Sequence, residues 1–226
     1  MSGLINRLHQ SKILGKIFPT LISCLQRELV GCQSVLDIGC GPSSPLQYCT
    51  NVEYSVGVEP FEPYLRKSVA KKIHTKYFSR KIEELDFAAS SFDAVIMLEL
   101  IEHLPEEKGV EVLNKAELWA RKKIIISTPN GFISQREVDS NLLQRHLSGW
   151  GLEKLKDLGY QCCGLAGFKF LRQEVQDDTM GDNLLTSIRW RPKLFWFLVA
   201  TVSEVVVCRL PNLAFELFCV KNLVKD

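Results

Sequence analysis

The chain has 226 residues, 46% of them hydrophobic and 24% charged, which suits one well-cored domain and is short for two. Its net charge of +2 sets up no global field that demands a nucleic acid or an acidic membrane as partner. The eight cysteines include no C-x-x-C pair and several sit in apolar runs such as ELFCVK, so they read as buried thiols of a reducing compartment.

The opening MSGLINRLHQSKILGK lacks the apolar core and cleavage site of a signal peptide, and a cytoplasmic location is expected. Residues 4–29 place Leu4, Leu8, Ile13, Ile17, Leu21, Ile22, Leu25 and Leu29 at broadly helical spacing, broken by Pro19. That spacing predicts two short amphipathic helices that precede the core. From Ser34 the pattern changes to short apolar runs, SVLDIG, YSVGVE, FDAVIML and KKIIIST, separated by helix-length segments, which is the signature of a parallel sheet with crossover helices. A weak strand is expected around 75–78, a helix from Pro105 and Glu106 to about Ala120, a helix after Ser148 closing at Gly159, and a strand at 161–165. Residues 192–209 predict a further helix and 215–220 a last strand, antiparallel to its neighbour, for seven strands in all.

VLDIGCGPSSP places Gly39 and Gly41 at a strand-to-helix turn, where missing side chains let backbone N–H groups approach a ligand. Asp37 precedes them, and Glu59 ends the second strand twenty positions after Gly39, where nucleotide-binding folds keep an acid for ribose hydroxyls. A dinucleotide fingerprint wants a third glycine at 44, but Ser44 stands there and Pro42 follows the pair, which points to a cofactor without phosphates.

On these residues the chain resembles the class I S-adenosylmethionine (SAM)-dependent methyltransferases, and the likeness runs through IEELDFAASSFDAVIMLELIEHL and KKIIISTPNG over about residues 30–170. The resemblance implies a Rossmann-like α/β fold in which Asp37, Gly39, Cys40 and Gly41 surround the methionine part of SAM and Glu59 holds the ribose. It further implies that Pro60 and Phe61 line the adenine and that Leu98 borders the cofactor. Lys81 stands where many members carry an adenine-binding aspartate, leaving that work to the backbone at Ile82 with Glu83 beside it. One domain is expected over 1–226, with a helical lid at 1–30, the cofactor core at 31–170 and sheet-completing elements at 171–226.

LELIEHL puts Glu99, Glu102 and His103 at i, i+3 and i+4, one face of a helical turn at the end of the fourth strand. Three readings stay open. His103 is a general base oriented by Glu102 or Glu99; or Glu99, Glu102 and His103, joined by His146, ligate Mg²⁺ or Mn²⁺; or the carboxylates cap the next helix. Glu-x-x-Glu-His with a distant His resembles the small-RNA 3′-terminal 2′-O-methyltransferases and the catechol O-methyltransferases of quinone biosynthesis, which implies a metal chelated by adjacent hydroxyls. The expected activity is O-methylation of a small hydroxylated or lipid-like acceptor, the alternatives being an RNA 2′-O-methyltransferase or a non-catalytic cofactor-binding subunit.

Seven Lys or Arg residues between Arg66 and Lys81 read as a solvated helix face and edge strand, and no nucleic-acid partner is expected from them. SIRWRPKLFWF joins cations and aromatics (Trp190, Phe195, Trp196, Phe197) ahead of the apolar stretch 194–208, a combination that allows peripheral membrane contact or a cover for a greasy acceptor. Trp150 is expected to anchor the helix that follows it to the sheet.

Overall fold

The computed structural model describes residues 19–173, 185 and 187–223. The helix expected before Pro19, and with it most of the 1–30 lid, lies outside the described residues. All seven expected strands are present: β1 (Ser34–Ile38), β2 (Tyr54–Val58), β3 (Lys76–Phe78), β4 (Phe92–Leu98), β5 (Ala120–Pro129), β6 (Gln161–Phe168) and β7 (Ala214–Asn222). They form one sheet in the order β3-β2-β1-β4-β5-β7-β6, parallel except for β7, which runs antiparallel to β5 and β6. The order reverses between β1 and β4, and the crevice beyond the carboxyl ends of those two strands is where such sheets hold ligands. β4 is buried along its whole length, as a central strand covered on both faces must be.

Among the described residues five α-helices accompany the sheet: α1 (Leu21–Glu28), α2 (Glu62–Ala70), α3 (Glu106–Trp119), α4 (Leu152–Asp157) and α5 (Lys193–Val207). α3 opens one residue after Pro105, which is its N-cap, with Glu106 and Glu107 in the first turn where the helix dipole favours them. α4 starts later than its sequence suggests, at Leu152, and ends before Gly159 (φ 88°). α1 departs from expectation. Thr20 and Ser23 close a capping box at its start, and Cys24 and Leu25 are fully buried among Val35, Ile96, Ile125 and Phe218. It is part of the core and not a preface to it, because the sheet has two apolar faces and this helix covers one of them.

The cysteines also need correcting. Register sets Cys162 of β6 directly opposite Cys219 of β7, and the two are joined as a disulfide, while the other six remain thiols. The seven basic residues from Arg66 to Lys81 are all exposed, on α2, the loop after it, the edge strand β3 and the loop beyond.

Candidate active site

The turn after β1 is held from above and below. Gly39 (φ 71°) and Gly41 (φ 56°) lie in the left-handed region that favours glycine. The N–H groups of Gly39 and Cys40 both donate to Val58 O, at 2.8 and 3.0 Å. Glu59 bridges the turn to the next loop: one carboxylate oxygen accepts from Gly41 N at 3.1 Å and the other from Phe61 N at 2.9 Å. Burial raises the Glu59 pKa, and these two bonds work against that rise. Beneath the turn, Asp37 accepts from Ser44 Oγ at 2.5 Å and pairs with His74 Nε2 at 2.8 Å, both side chains being buried. Asp37 therefore braces the turn from inside the protein, and the Cys40 thiol, also buried, has its pKa raised by burial. A Cβ on Gly41 would meet no atom nearer than 4.0 Å, so the space in front of the turn is open. Pro60 and Phe61 flank it half-buried, with Phe61 edge-on to Tyr64 at 4.9 Å; Ile82 and Leu98 are buried and Glu83 is exposed. These residues fit SAM: an open glycine cradle next to a carboxylate that keeps a further lone pair on each oxygen for a ribose hydroxyl.

LELIEHL is not one helical turn. Glu99 takes a left-handed conformation (φ 52°), and only Ile101–His103 forms a short 3₁₀ turn. Glu99 N donates to Ser127 O at 3.0 Å, and its carboxylate accepts from Ser127 Oγ at 2.8 Å. Glu102 points inward, with one oxygen accepting from Thr128 Oγ1 at 3.0 Å and Oε1 buried with no hydrogen-bond partner. Glu216 of β7 joins the two, and it too keeps a buried Oε1 without a partner. Loss of hydration raises all three pKa values, well above the ordinary range for Glu102 and Glu216, and the charge of Glu99 adds to the rise at both. Solvent reaches Glu99 from the mouth of the cleft, yet the protein crowded around its carboxyl removes most of the water that would hydrate a charge.

His146 arrives on a loop that folds back on itself. His146 N donates to Gln135 O at 3.2 Å, Gln135 Nε2 to Gln144 O at 2.9 Å, and Leu147 N and Ser148 N both donate to Glu102 O. The imidazoles of His103 and His146 stand with centroids 4.8 Å apart. Each turns Nδ1 to a backbone carbonyl, His103 to Arg145 O at 3.2 Å and His146 to Ile133 O at 2.6 Å. A carbonyl only accepts, so both rings carry the proton on Nδ1 and present a bare Nε2. Burial lowers both pKa values, that of His103 to about 4 with help from His146, so both rings are neutral at pH 7. Glu102, His103 and His146 offer ligand atoms within 4.8 Å of one another; Glu99 is outside this group, being turned onto Ser127. The ring of His103 is oriented by the Arg145 carbonyl and not by Glu99 or Glu102.

Trp150 fixes this geometry. Its Nε1 donates to Ile101 O at 3.1 Å, and Ser148 Oγ shares that carbonyl at 3.2 Å, so the indole anchors the Glu102 turn as well as the start of α4. A Cβ at Gly109 of α3 would overlap the indole, so glycine is what lets the ring lie flat under that helix. The tip of the loop crosses the mouth, where Tyr64 of α2 donates to Asp139 at 3.1 Å.

Residues 36–118, from β1 to near the end of α3, match a family model described as a methyltransferase domain. No curated protein matches the chain by sequence. Solved structures do. A SAM-dependent methyltransferase from Archaeoglobus fulgidus is 19% identical over 93% of this chain and 98% of its own, with a TM-score of 0.52. The methyltransferase domain of bacterial CtHen1 is 19% identical over 89% and 97%, at 0.53. The fold is that of the class I SAM-dependent methyltransferases. The plantazolicin methyltransferase BpumL shares it at 13% identity over 88% and 80%, at 0.52. The family model covers residues 36–118 and these structures share the fold, so both point to the same reaction class.

At this site, sequence reasoning missed His74, Tyr64, Asp139, Thr128 and Glu216. Only Glu216 left a usable signal, as the one acid inside the apolar strand FELFCV. The others matter through contacts that close over long separations, which no local pattern displays.

Proposed function

We propose that this chain is a SAM-dependent methyltransferase that transfers the methyl group to oxygen on an acceptor with two adjacent hydroxyls, held at a divalent cation bound by Glu102, His103 and His146. The observation that carries this reading is the pair of imidazoles, each locked by a backbone carbonyl with Nε2 bare, beside a buried carboxylate oxygen that has no partner. Such a donor set leaves an orphaned carboxylate that a cation satisfies. Two nitrogens and one oxygen suit Mn²⁺ better than Mg²⁺, which prefers oxygen ligands and water. When bound, SAM supplies an electrophilic methyl and the cation lowers the pKa of a coordinated hydroxyl.

The chain's own residues do the rest. Glu59 and the Gly41 turn hold the cofactor end, and the loop from 131 to 149 closes over the mouth against Tyr64 and limits water. With His103 Nε2 turned to the cation, the Glu99 carboxylate takes the hydroxyl proton. An acceptor, a nucleophilic oxygen and the methyl carbon held in line gain most of their rate from proximity and orientation.

The test is calorimetric titration with SAM and with Mn²⁺, for the natural chain and His146→Ala, followed by methyl transfer to a panel of catechols, sugar diols and a 3′-terminal ribose, with and without chelator. His146→Ala should keep SAM affinity and lose about tenfold or more in Mn²⁺ affinity. Absence of Mn²⁺ binding in the natural chain, with SAM and a diol both present, sinks the cation reading. Failure to bind SAM at all sinks the assignment of the cofactor cradle.

A further inference from the structure

We propose that the outer face of α5 is a docking surface for an anionic lipid bilayer. All six exposed positions of this 15-residue helix are apolar: Leu194, Phe195, Leu198, Val202, Val205 and Val206. They span about a third of the helix circumference at 100° per residue, and Phe195, Leu198 and Val202 are each more than half exposed, at 54, 57 and 62%. Scattered apolar side chains on a surface need no explanation; a continuous ridge does.

The ridge is not an inner face turned out by accident. The opposite side, Phe197, Ala200, Ser203, Glu204 and Val207, is buried against β6. Gly164 and Gly167 of β6 have no Cβ where the carbonyls of Val207 and Ala200 come down, and Phe168 N donates to Ser203 Oγ at 3.1 Å. Close backbone contact and that bond fix the rotation of α5, so these six side chains face outward in the folded protein.

Charge selects the occupant. Exposed Arg189 and Arg191 lie just before the helix and exposed Arg209 just after it, while its one acid, Glu204, is buried. Trp190, 48% exposed at the same end, is a side chain that settles at a lipid headgroup boundary. Among the described residues no helix is long and apolar enough to cross a membrane, so an apolar ridge rimmed by cations lies in the plane of the surface. Gly164 meets Val207 and Gly167 meets Ala200, so α5 runs back along β6 and its start lies toward that strand's carboxyl end, where Lys169 Nζ donates to Asn130 O. Docking there sets the mouth beside the headgroups.

The experiment is co-sedimentation of the full chain with phosphatidylcholine vesicles and with vesicles containing about a third phosphatidylserine. We expect binding to the second only, weakened by salt, with roughly tenfold or more lost in Arg189→Gln/Arg191→Gln, since each basic residue at such a surface contributes a severalfold change. Leu198→Glu/Val202→Glu should abolish binding while circular dichroism and SAM affinity stay unchanged. Equal binding to neutral vesicles, no binding, or unaltered binding by both variants overturns the proposal. So does a concentration-dependent dimer that Leu198→Glu/Val202→Glu dissociates without any vesicle binding, which would make the occupant a second copy. Retained SAM affinity keeps this outcome separate from the fate of the methyltransferase reading.

Discussion

Replacing Glu102 by Gln should make the metal-free protein more stable and the metal-loaded protein less so. The carboxyl is 2% exposed, its Oε1 has no partner, and burial followed by the charge of Glu99 raises its pKa well above the ordinary value. A carboxyl whose folded pKa lies above its unfolded one binds more protons when folded, so its contribution is favourable at low pH and is lost as pH rises above about 4.5. Gln removes that loss. It can still accept from Thr128 Oγ1, and its amide can donate to the neighbouring Glu99 carboxylate, relieving a defect of about 1–3 kcal/mol for a buried unsatisfied group. A net gain of about 1–2 kcal/mol raises the melting temperature by about 3–6 °C in a chain of this size. With Mn²⁺ at about a hundred times its dissociation constant, the natural chain instead gains about 2.7 kcal/mol that the variant cannot. Thermal melts at pH 8 in chelator and in Mn²⁺ should therefore cross. A variant that melts below the natural chain in chelator refutes the reading of Glu102 as a carboxylate held for a cation.

Two further outcomes follow from the same geometry. His103 has a folded pKa of about 4 against 6.5 unfolded, so its neutral form is favoured on folding and stability falls as pH drops from about 6.5 toward 4; His103→Gln should flatten that stretch of a denaturation-versus-pH curve, and an unchanged slope counts against the half-buried, neutral ring. Gly109→Ala places a methyl inside the Trp150 indole, which two hydrogen bonds hold in place. The strain, about 1–3 kcal/mol, should exceed the helix gain of about 1 kcal/mol and lower the urea midpoint, and because Trp150 bonds Ile101 O it should also weaken Mn²⁺ binding; a raised midpoint contradicts the contact.

Every strand was legible because each is a short apolar run bounded by turn residues, and even the weak edge strand at Lys76 showed itself by position between two helix-length segments. The glycine turn was legible for the same reason, being a local backbone requirement. What the sequence hid was register and reversal. Cys162 and Cys219 are 57 residues apart and meet only because β7 inserts antiparallel beside β6. Glu99, Glu102 and His103 suggested one helical face, but the left-handed backbone at Glu99 breaks the turn: one carboxyl meets Ser127 and the other Thr128, and the two carboxyls still lie against each other. The approach of His146 to His103 depends on the loop pairing Gln135 with Gln144 and His146, a fold-back with no periodicity to betray it.

The turn after β1 bears on rates. Val58 O, the Glu59 carboxylate and the Asp37–Ser44–His74 group hold it in shape before any ligand arrives, so capture of a nucleoside requires little loop ordering. Fixing one residue's backbone costs about 1–2 kcal/mol, and here folding has already met that cost for the whole turn. Encounter should then be fast and nearly the same across variants of the cleft. Differences in affinity among them will appear as residence times, and a slowed arrival would mark a change in the brace beneath the turn.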